Sequence, residues 1–313
     1  MLFNGAHMSV EIQIFQVVLL TILVTFICVP FSIWLANRFR LIDYPGSEFH
    51  KRHQKPTPMA GGIVLVLTFM IVSSLFGAWK SHVVLAIFWA GLVVFFFGIW
   101  DDLQVLPPIL KLGGQILAAF ILIRVGIFVQ IFESVDFVIH LISPLDRFLN
   151  LLITVFWLIS ITNAFNFIDS MDGLAVGIGG LVAGFLMLFS LDSGQIELAL
   201  FSAGLVVVCI GIYFFNSHPA LFFLGDSGAQ VLGFWLASLA IAYRPPDVGQ
   251  MSSWFATILL MGVPIFDVTL VVISRLRSGS PIYLSARDHT YHRLCKFGVN
   301  SYRVVLIMHI ATV

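Results

Sequence analysis

Long apolar runs separated by short polar segments constrain the fold of this chain more than any other feature. About ten runs can be drawn, at 11–36, 60–79, 83–100, 113–129, 147–165, 174–191, 197–215, 227–243, 253–274 and from Ser301 onward. A helix of roughly 17 to 25 apolar residues crosses a bilayer, and apart from closed barrels only helices satisfy their backbone there. The runs therefore predict an all-α, polytopic integral membrane protein with about ten transmembrane helices.

Composition excludes an ordinary soluble domain. Hydrophobic residues make up 59% of the 313 residues and charged residues 10%, and the mean hydropathy is +1.03. These values lie far from those of soluble domains. The formal net charge is zero, so the overall charge indicates no nucleic-acid partner. Of the 3 cysteines, Cys28 and Cys209 fall inside apolar runs, which argues against a disulfide framework.

No long linker, low-complexity tract or internal repeat divides the chain, so residues 1–313 are interpreted as one integral membrane domain. The last apolar run, 301–313, is too short to cross a bilayer, which favours a C-terminally truncated fragment with an incomplete last helix. The first residues lack a basic segment and a cleavage site, so we expect no cleaved signal peptide. Residues 1–7 are either native or part of an expression scar that includes GAHM.

Basic residues are unevenly distributed between the two sets of loops. If the N-terminus lies outside, alternate loops fall on one side of the membrane, at 37–59, 101–112, 166–173, 216–226 and 275–300. These loops hold most of the lysines and arginines, whereas the opposite loops hold Lys80, Arg147 and Arg244. The positive-inside rule makes the basic side cytoplasmic. We therefore expect a periplasmic N-terminus and a site on the cytoplasmic face.

Four acidic or amide-rich motifs lie at or near the ends of apolar runs. They are IWDDL with Asp101 and Asp102, NAFNFIDSMDGL with Asn163, Asn166, Asp169 and Asp172, FLGDSG with Asp226, and PIFD with Asp267. A carboxylate there is costly unless a cation or another partner compensates it. The second motif spaces its polar residues at steps of three, so neighbouring members can share one ligand. The placement predicts a metal-dependent site gathered at one membrane face.

Each motif also has a structural interpretation. The two carboxylates of IWDDL can end a helix in water, or one can bind a metal while the other acts as a base or nucleophile. The residues of NAFNFIDSMDGL are good turn formers. Phe223 can stack on a flat ring, although most of the 31 phenylalanines are expected to serve packing. Asp267 lies inside an apolar run, where it either functions directly or pairs with a polar group on a neighbouring helix and supports the site.

Cations lie on the same face as the carboxylates. Lys55 precedes a Pro-Thr-Pro turn that would hold it near the membrane surface, and Arg287, His289 and His292 lie in the last polar segment. A lone HxxH pair is weak evidence for zinc. Carboxylate and amide oxygens suit Mg²⁺, with Mn²⁺ as an alternative, because Mg²⁺ is usually held by one or two carboxylates plus phosphate oxygens. The combination predicts phosphoryl transfer, which depends on positioning and charge neutralisation.

Six motifs in this order resemble the polyprenyl-phosphate N-acetylhexosamine-1-phosphate transferases: KPTPMAGG, GIWDDL, NAFNFIDSMDGLA, FNSHPALFFLGDSG, GVPIFDV and the HxxH loop. The resemblance covers nearly the whole chain. It implies a bacterial inner-membrane enzyme that starts cell-envelope glycan synthesis, such as that of O-antigen. The partners it implies are undecaprenyl phosphate and a UDP-N-acetylhexosamine, with UMP as the leaving group; a homodimer is left open.

The resemblance also implies roles for individual residues. Asp226 and Asn166 are the expected Mg²⁺ ligands, with help from Asp102. The expected catalytic residues are Asp101, Asp102, His289 and His292. The expected substrate-binding residues are Lys55, Asn163, Asp169, Asp172, Asn216, Phe223 and Arg287.

The histidine pattern of the last cytoplasmic loop distinguishes the branches of this family. The branch acting on UDP-N-acetylmuramoyl-pentapeptide usually has adjacent histidines there, and the branch using UDP-N-acetylglucosamine commonly has HxHH. This chain reads HTYH, with Tyr291 in the third place, which favours the glucosamine-like branch and leaves 6-deoxy sugars open. A secondary transporter of a phosphorylated solute is the alternative from another class, although such sites tend to lie near the midplane between repeats.

Overall fold

The computed structural model describes residues 9–45, 55–76, 81–133, 144–279 and 289–313. Within these ranges the protein is mostly helical. The helices are α1 (Val10–Arg38), α2 (Gly61–Phe76), α3 (His82–Leu103), α4 (Pro108–Arg124), α5 (Leu145–Ile168), α6 (Leu174–Asp192), α7 (Ile196–Asn216), α8 (Gly225–Ala242), α9 (Gln250–Leu260), α10 (Gly262–Ser278), α11 (Thr290–Lys296) and α12 (Ser301–Thr312). The predicted helical, polytopic architecture is confirmed.

Among the described residues, five helices are long and apolar enough to cross a membrane, namely α1, α3, α5, α6 and α7. The bent pair of α9 and α10 makes a sixth span if the two are counted as one. The run at 253–274 is therefore not a single straight helix, because α9 and α10 meet at an angle of 70°. Pro264 lies in the first turn of α10 and cannot donate a backbone hydrogen bond to the preceding turn, which favours the break. Ten spans and the membrane orientation stay predictions.

The all-α prediction needs one correction, because two short strands lie before α2. Strand β1 (Ile42–Asp43) pairs antiparallel with β2 (Thr57–Pro58). Met59 then forms a parallel bridge with Phe223, and the N–H of Phe223 donates to the carbonyl of Pro58 at 2.9 Å. Backbone hydrogen bonds thus join the segment before α2 to the segment before α8. Both segments are extended, because a bridge of this kind forms between extended chains.

Helix α8 is the central helix, and every residue from Ser227 to Ile241 is buried. It packs against α3 and α5, and α4 packs against the same two helices from the other side. Helices α3, α4, α5 and α8 therefore form a four-helix bundle in which α4 and α8 are diagonal. By contrast, α1 exposes large apolar side chains, such as those of Phe15 and Ile27, as a lipid-facing helix does.

Glycines allow the start of α8 to be held closely on two sides. A Cβ added at Gly98 of α3 would lie 2.4 Å from the Cα of Ser227, and one added at Gly62 of α2 would lie 2.6 Å from the backbone nitrogen of Gly228. Small residues are the usual means of bringing helix backbones together in membranes. The first turn of α8 is consequently fixed between α2 and α3.

Candidate active site

Three of the four acidic motifs meet at one end of the four-helix bundle. Helices α3 and α5 end here, and α4 and α8 begin here, so we call it the motif end. The groups that it brings together are Asp101 and Asp102 of α3, Lys111 of α4, Asn166 of α5, and Asp226 of α8. Sites built from facing helices in a bundle core are a common arrangement.

Asp226 is at the centre of the motif end. Its Oδ1 accepts a hydrogen bond from Asn166 Nδ2 at 3.0 Å, and its Oδ2 accepts one from Lys111 Nζ at 3.2 Å. The Asp226 side chain is 36% exposed, so a substrate or ion can still reach it. One carboxylate thus links three helices and remains open to ligand.

Asp101 faces the same lysine from α3. Its Oδ2 forms an ion pair with Lys111, and its Oδ1 accepts a hydrogen bond from the N–H of Leu106 at 2.8 Å. Because Leu106 lies in the turn between α3 and α4, Asp101 fixes both that turn and the lysine that follows it. Lys111 therefore bridges Asp101 and Asp226, and its cation compensates charge that would otherwise be costly at this depth.

Asp102 caps α8 from a different helix. Its Oδ1 accepts the N–H of Asp226 at 2.8 Å, while its Oδ2 accepts the N–H of Ser227 at 3.1 Å and the hydroxyl of Ser227 at 2.6 Å. Leu224, at the N-cap position of α8, provides no side-chain cap. The carboxylate also faces the positive end of the α8 dipole. The predicted roles of Asp102 as base and metal ligand stay predictions, and the structure adds a positioning role.

Gly225 makes this capping arrangement sterically accessible. Its φ angle is +76°, a conformation that side chains disfavour, and a Cβ there would lie 2.9 Å from Asp102 Oδ2. The first glycine of FLGDSG is thus required by the close approach of the Asp102 carboxylate to the start of α8.

Asp169 and Asp172 lie in the turn between α5 and α6, beside the motif end. Burial raises the pKa of Asp169 well above its ordinary value. The negative charges of Asp226, Asp102 and Asp172 raise that pKa further. Asp172 contacts His218, whose Nδ1 lies 2.9 Å from its Oδ2. The turn therefore places additional carboxylates where the local field is already negative.

The other expected substrate-binding residues are placed differently. Asn163 lies one turn deeper than Asn166 and donates from Nδ2 to Gln115 Oε1 at 2.8 Å. Asn216 is buried and joins two loops: its Oδ1 accepts the N–H of Gly173 at 3.1 Å, and its Nδ2 donates to the carbonyl of Phe222 at 3.0 Å. The structure thus gives both amides positions in which they brace the site.

Lys55, Phe223 and Arg287 complete the set of expected substrate-binding residues. Lys55 is exposed and lies two residues before β2. Phe223 is partly buried, and its backbone is bonded on both sides to the segment that leads into α2. Arg287 lies outside the described residues. The bridge between Met59 and Phe223 therefore brings the KPTPMAGG and FLGDSG motifs together, as a shared pocket requires.

Asp267 of α10 and His289 of the last polar segment form a buried pair. The Nδ1 of His289 lies 2.7 Å from Asp267 Oδ2, and Asp267 Oδ1 accepts the N–H of Thr290 at 2.7 Å. Asp267 is therefore a partner of the histidine and a cap for α11, as in the supporting interpretation. Nδ1 of His289 is therefore engaged by Asp267, and Nε2 is the ring nitrogen that Asp267 does not engage.

Tyr291 joins this segment to the turn that carries Asp169. Its ring stacks on that of His289 at 5.0 Å and lies 4.7 Å from that of His292. Its hydroxyl donates to the carbonyl of Phe167 at 2.9 Å and contacts the hydroxyl of Ser170. The two histidines of HTYH are therefore held beside the motif end through a fully buried tyrosine.

The donor set at the motif end consists of carboxylate and amide oxygens, the ligand types that Mg²⁺ prefers. Within the part of the chain that the structure describes, no group of three or more His, Cys, Asp or Glu residues is arranged to hold a metal ion. Mg²⁺ needs only one or two carboxylates, because waters and substrate phosphates complete its octahedron. Asp226 is accessible to solvent. The carboxylate of Asp169 is surrounded by other negative charges, which a bound cation would offset. The residues present therefore fit Mg²⁺ that is shared with a phosphate substrate.

Comparison with known families decides the class of protein. The family model described as glycosyl transferase family 4 matches residues 84–244, which contain α4 to α8 and nearly all of α3. The chain belongs to glycosyl transferase family 4. The match includes every residue of the motif end, whereas Asp267, His289 and Tyr291 lie beyond it.

Three relatives of similar sequence carry names that describe a transferase activity. A probable undecaprenyl-phosphate N-acetylglucosaminyl 1-phosphate transferase of Bacillus subtilis is 28% identical over 303 residues, covering 96% of this chain and 82% of the relative. A decaprenyl-phosphate N-acetylglucosaminephosphotransferase of Mycobacterium tuberculosis is 32% identical, covering 88% and 74%. A phospho-N-acetylmuramoyl-pentapeptide-transferase of Halalkalibacterium halodurans is 28% identical, covering 93% of each. This family 4 protein is accordingly an enzyme that transfers a sugar phosphate, which replaces the transporter alternative.

Several residues of this family 4 site were not singled out from the sequence. They are Lys111, Gln115, His218 and Gln230. In the sequence Lys111 contributes only to the basic face, although its place in the first turn of the helix after IWDDL is a signal for a partner of Asp101. The spacing of Lys111 and Gln115, and of Asp226 and Gln230, is four residues in each case, which places each pair on one helix face.

Replacing Tyr291 by phenylalanine tests the link to the Asp169 turn. The variant keeps the ring that stacks on His289 but loses the hydroxyl contacts with Phe167 and Ser170. We expect a loss of about 1 to 2 kcal/mol of stability, because the partly buried carbonyl of Phe167 loses a donor. The measurement is thermal unfolding of detergent-solubilised protein, with the exposed Tyr302→Phe as the control. Equal transition temperatures for Tyr291→Phe and the wild type would contradict the assignment.

Proposed function

We propose that this protein transfers N-acetylhexosamine 1-phosphate from a UDP-sugar to a polyprenyl phosphate and releases UMP. We further propose N-acetylglucosamine 1-phosphate as the transferred group, undecaprenyl phosphate as the acceptor, and the cytoplasmic face of the bacterial inner membrane as the place of reaction. The names of the Bacillus and Mycobacterium relatives support the transferred group and the polyprenyl acceptor. The HTYH segment supports the same branch, because it lacks a run of adjacent histidines.

The observation that carries this proposal is the convergence of Asp101 and Asp226 on Lys111 at the end of an apolar bundle, with Asn166 bonded to Asp226. A lipid phosphate has an apolar tail and a charged head, so it needs a charged site that is accessible from the bilayer surface. A nucleotide sugar comes from water and needs the same site to be open to the aqueous side. A charged centre at the ends of spanning helices meets both requirements.

The proposed chemistry is a single displacement at phosphorus. An oxygen of the lipid phosphate attacks the β-phosphorus of the UDP-sugar, the new P–O bond joins lipid and sugar phosphate as a diphosphate, and the bond to the bridging oxygen breaks. UMP leaves with that oxygen. Because the attacking oxygen is already ionised in the lipid phosphate, the main task of the protein is to position two anions and neutralise their charge.

Residues at the motif end would share this task. The Lys111 ammonium would bind phosphate oxygens, and Asp101 would orient the lysine through their ion pair. Asp226 and Asn166 would hold Mg²⁺, which when bound supplies charge neutralisation for the diphosphate. Asp102 would keep Asp226 in place by capping α8. His289 would contact the sugar phosphate, with its orientation fixed by Asp267.

A transfer assay tests the proposal directly. Purified protein in detergent with undecaprenyl phosphate and Mg²⁺ is expected to release UMP from UDP-N-acetylglucosamine in a 1:1 ratio with lipid-linked product. The same assay is run with a panel of other donors, namely a UDP-6-deoxy-N-acetylhexosamine and UDP-N-acetylmuramoyl-pentapeptide. Removal of divalent ions by a chelator should lower the rate by at least about 100-fold, because neutralisation of the diphosphate is lost.

The outcomes of this assay separate the parts of the proposal. Faster UMP release with another sugar of the panel would contradict the assignment of N-acetylglucosamine. Full activity in chelator would contradict the role of the metal ion. UMP release from none of the sugars would overturn the proposed function, and heat-inactivated protein is the matched control.

A further inference from the structure

Three amides, two of them buried, lie one helical turn below the charged groups of the motif end. Gln115 Nε2 donates to Gln230 Oε1 at 3.1 Å, and Asn163 Nδ2 donates to Gln115 Oε1 at 2.8 Å. Gln115 and Gln230 are each 2% exposed. We call Gln115, Asn163 and Gln230 the amide layer.

The amide layer repeats the arrangement of the charged groups one helical turn deeper. Helix α4 contributes Lys111 and then Gln115, α8 contributes Asp226 and then Gln230, and α5 contributes Asn166 above Asn163. The steps of four, four and three residues are those that keep side chains on one helix face. The same three helices are therefore joined by side-chain hydrogen bonds at two successive levels.

Helices α4 and α8 are linked across the bundle by side chains at both levels. The two helices are diagonal, with α3 and α5 packed between them, and within the described residues the long side chains of the two layers join α4 to α8. At the upper level Lys111 is 27% exposed and has to serve the substrate. The deeper pair of Gln115 and Gln230 is buried and has no such task. The amide pair can therefore hold the diagonal distance while the charged pair is engaged in chemistry.

We propose that Gln115, Asn163 and Gln230 are positioning residues, which set the distance between α4 and α8 and thereby hold Lys111 against Asp226. The proposal rests on the proposed function, since it describes how that site is aligned. Reactions that depend on positioning lose rate when a reacting group shifts by as little as an ångström. Loss of the amide layer should therefore lower kcat with little effect on the KM for the nucleotide sugar.

The first experiment is a double-mutant cycle. Gln230→Leu keeps the approximate volume but removes the acceptor for Gln115, and it is expected to lower kcat about tenfold while KM for the UDP-sugar stays within about threefold. Gln230→Glu keeps an acceptor oxygen and is expected to retain more of the wild-type kcat than Gln230→Leu. In a Lys111→Met background, Gln230→Leu should have no further effect, because the group that the layer positions is already absent. Losses that multiply in the double mutant would overturn the proposal.

A second measurement does not depend on activity. The rate at which an amine reagent labels Lys111, followed by mass spectrometry, is expected to rise several-fold in Gln230→Leu because the lysine is released from Asp226. Ser238→Ala is the matched control, since Ser238 is buried in the same helix and donates only to the carbonyl of Phe234. An unchanged labelling rate in Gln230→Leu would overturn the positioning role. A changed labelling rate in a protein that releases no UMP would support the layer and contradict the proposed function.

Discussion

Replacing Asp226 by asparagine is expected to lower the transfer rate by about 10²- to 10³-fold, which is the typical effect of removing one group that stabilises charge in the transition state. The asparagine has nearly the same shape as aspartate and keeps one acceptor oxygen, so one of the two hydrogen bonds from Lys111 and Asn166 can remain. Lys111 also keeps its ion pair with Asp101. The loss should therefore come from the missing charge, and the folded structure should persist.

The measurement is the initial rate of UMP release at saturating UDP-sugar, together with the thermal transition of the same preparation. Asp146→Asn is the matched control, because Asp146 lies in the first turn of α5, at the end of the bundle opposite to the motif end. We expect the control to retain the wild-type rate. An Asp226→Asn variant with more than about half of the wild-type rate would be inconsistent with any central role of this carboxylate.

Replacing Asp102 by alanine is expected to lower both stability and activity. The change removes the acceptor for the N–H groups of Asp226 and Ser227 and for the Ser227 hydroxyl, and it removes an anion from the positive end of α8. Hydrogen bonds to a charged group contribute about 1.5 to 3 kcal/mol, and the helix dipole adds about 0.3 to 1 kcal/mol. A loss of about 2 kcal/mol or more is therefore expected.

Comparison of the two aspartate variants separates positioning from chemistry. Asp226→Asn should lose activity at a nearly unchanged thermal transition, whereas Asp102→Ala should shift the transition to lower temperature. Asp102→Asn is the intermediate variant, because its amide oxygen still accepts a hydrogen bond from the α8 backbone. If Asp102→Ala unfolds at the wild-type temperature, the capping role is wrong, and the direct catalytic role predicted from the sequence becomes the better explanation.

The helices were predictable because each apolar run is long and most begin and end at polar residues. The start of α3 at His82 and the end of α5 at Ile168 lie within a few residues of the predicted limits. The bend before Gly262 was not predicted, since hydropathy does not register the angle between two halves of a run. The pairing of Met59 with Phe223 joins segments that are distant along the chain, and local patterns carry no signal for it.

The site was predictable in part for the same reason. The motifs identified Asp101, Asn166 and Asp226 because a carboxylate or amide at the end of an apolar run has few explanations. Their partners were not predictable from spacing, because Lys111 and Asp226 are separated by 115 residues. Gln115 and Gln230 were missed because single amides within apolar runs carry no motif, and only packing showed that they meet.

The burial of α8 has a consequence for the order in which the protein is assembled. Among the described helices, α8 is not one of those long and apolar enough to cross a membrane by themselves, because its first two turns carry Asp226 and Gln230. The helices that clamp and flank these turns, α2, α3 and α5, are all synthesised before it. We therefore expect α8 to leave the insertion machinery and pack directly between the helices of this chain that have already been inserted. A chain that stops before Leu224 would be inserted in the bilayer and would still lack a reaction centre.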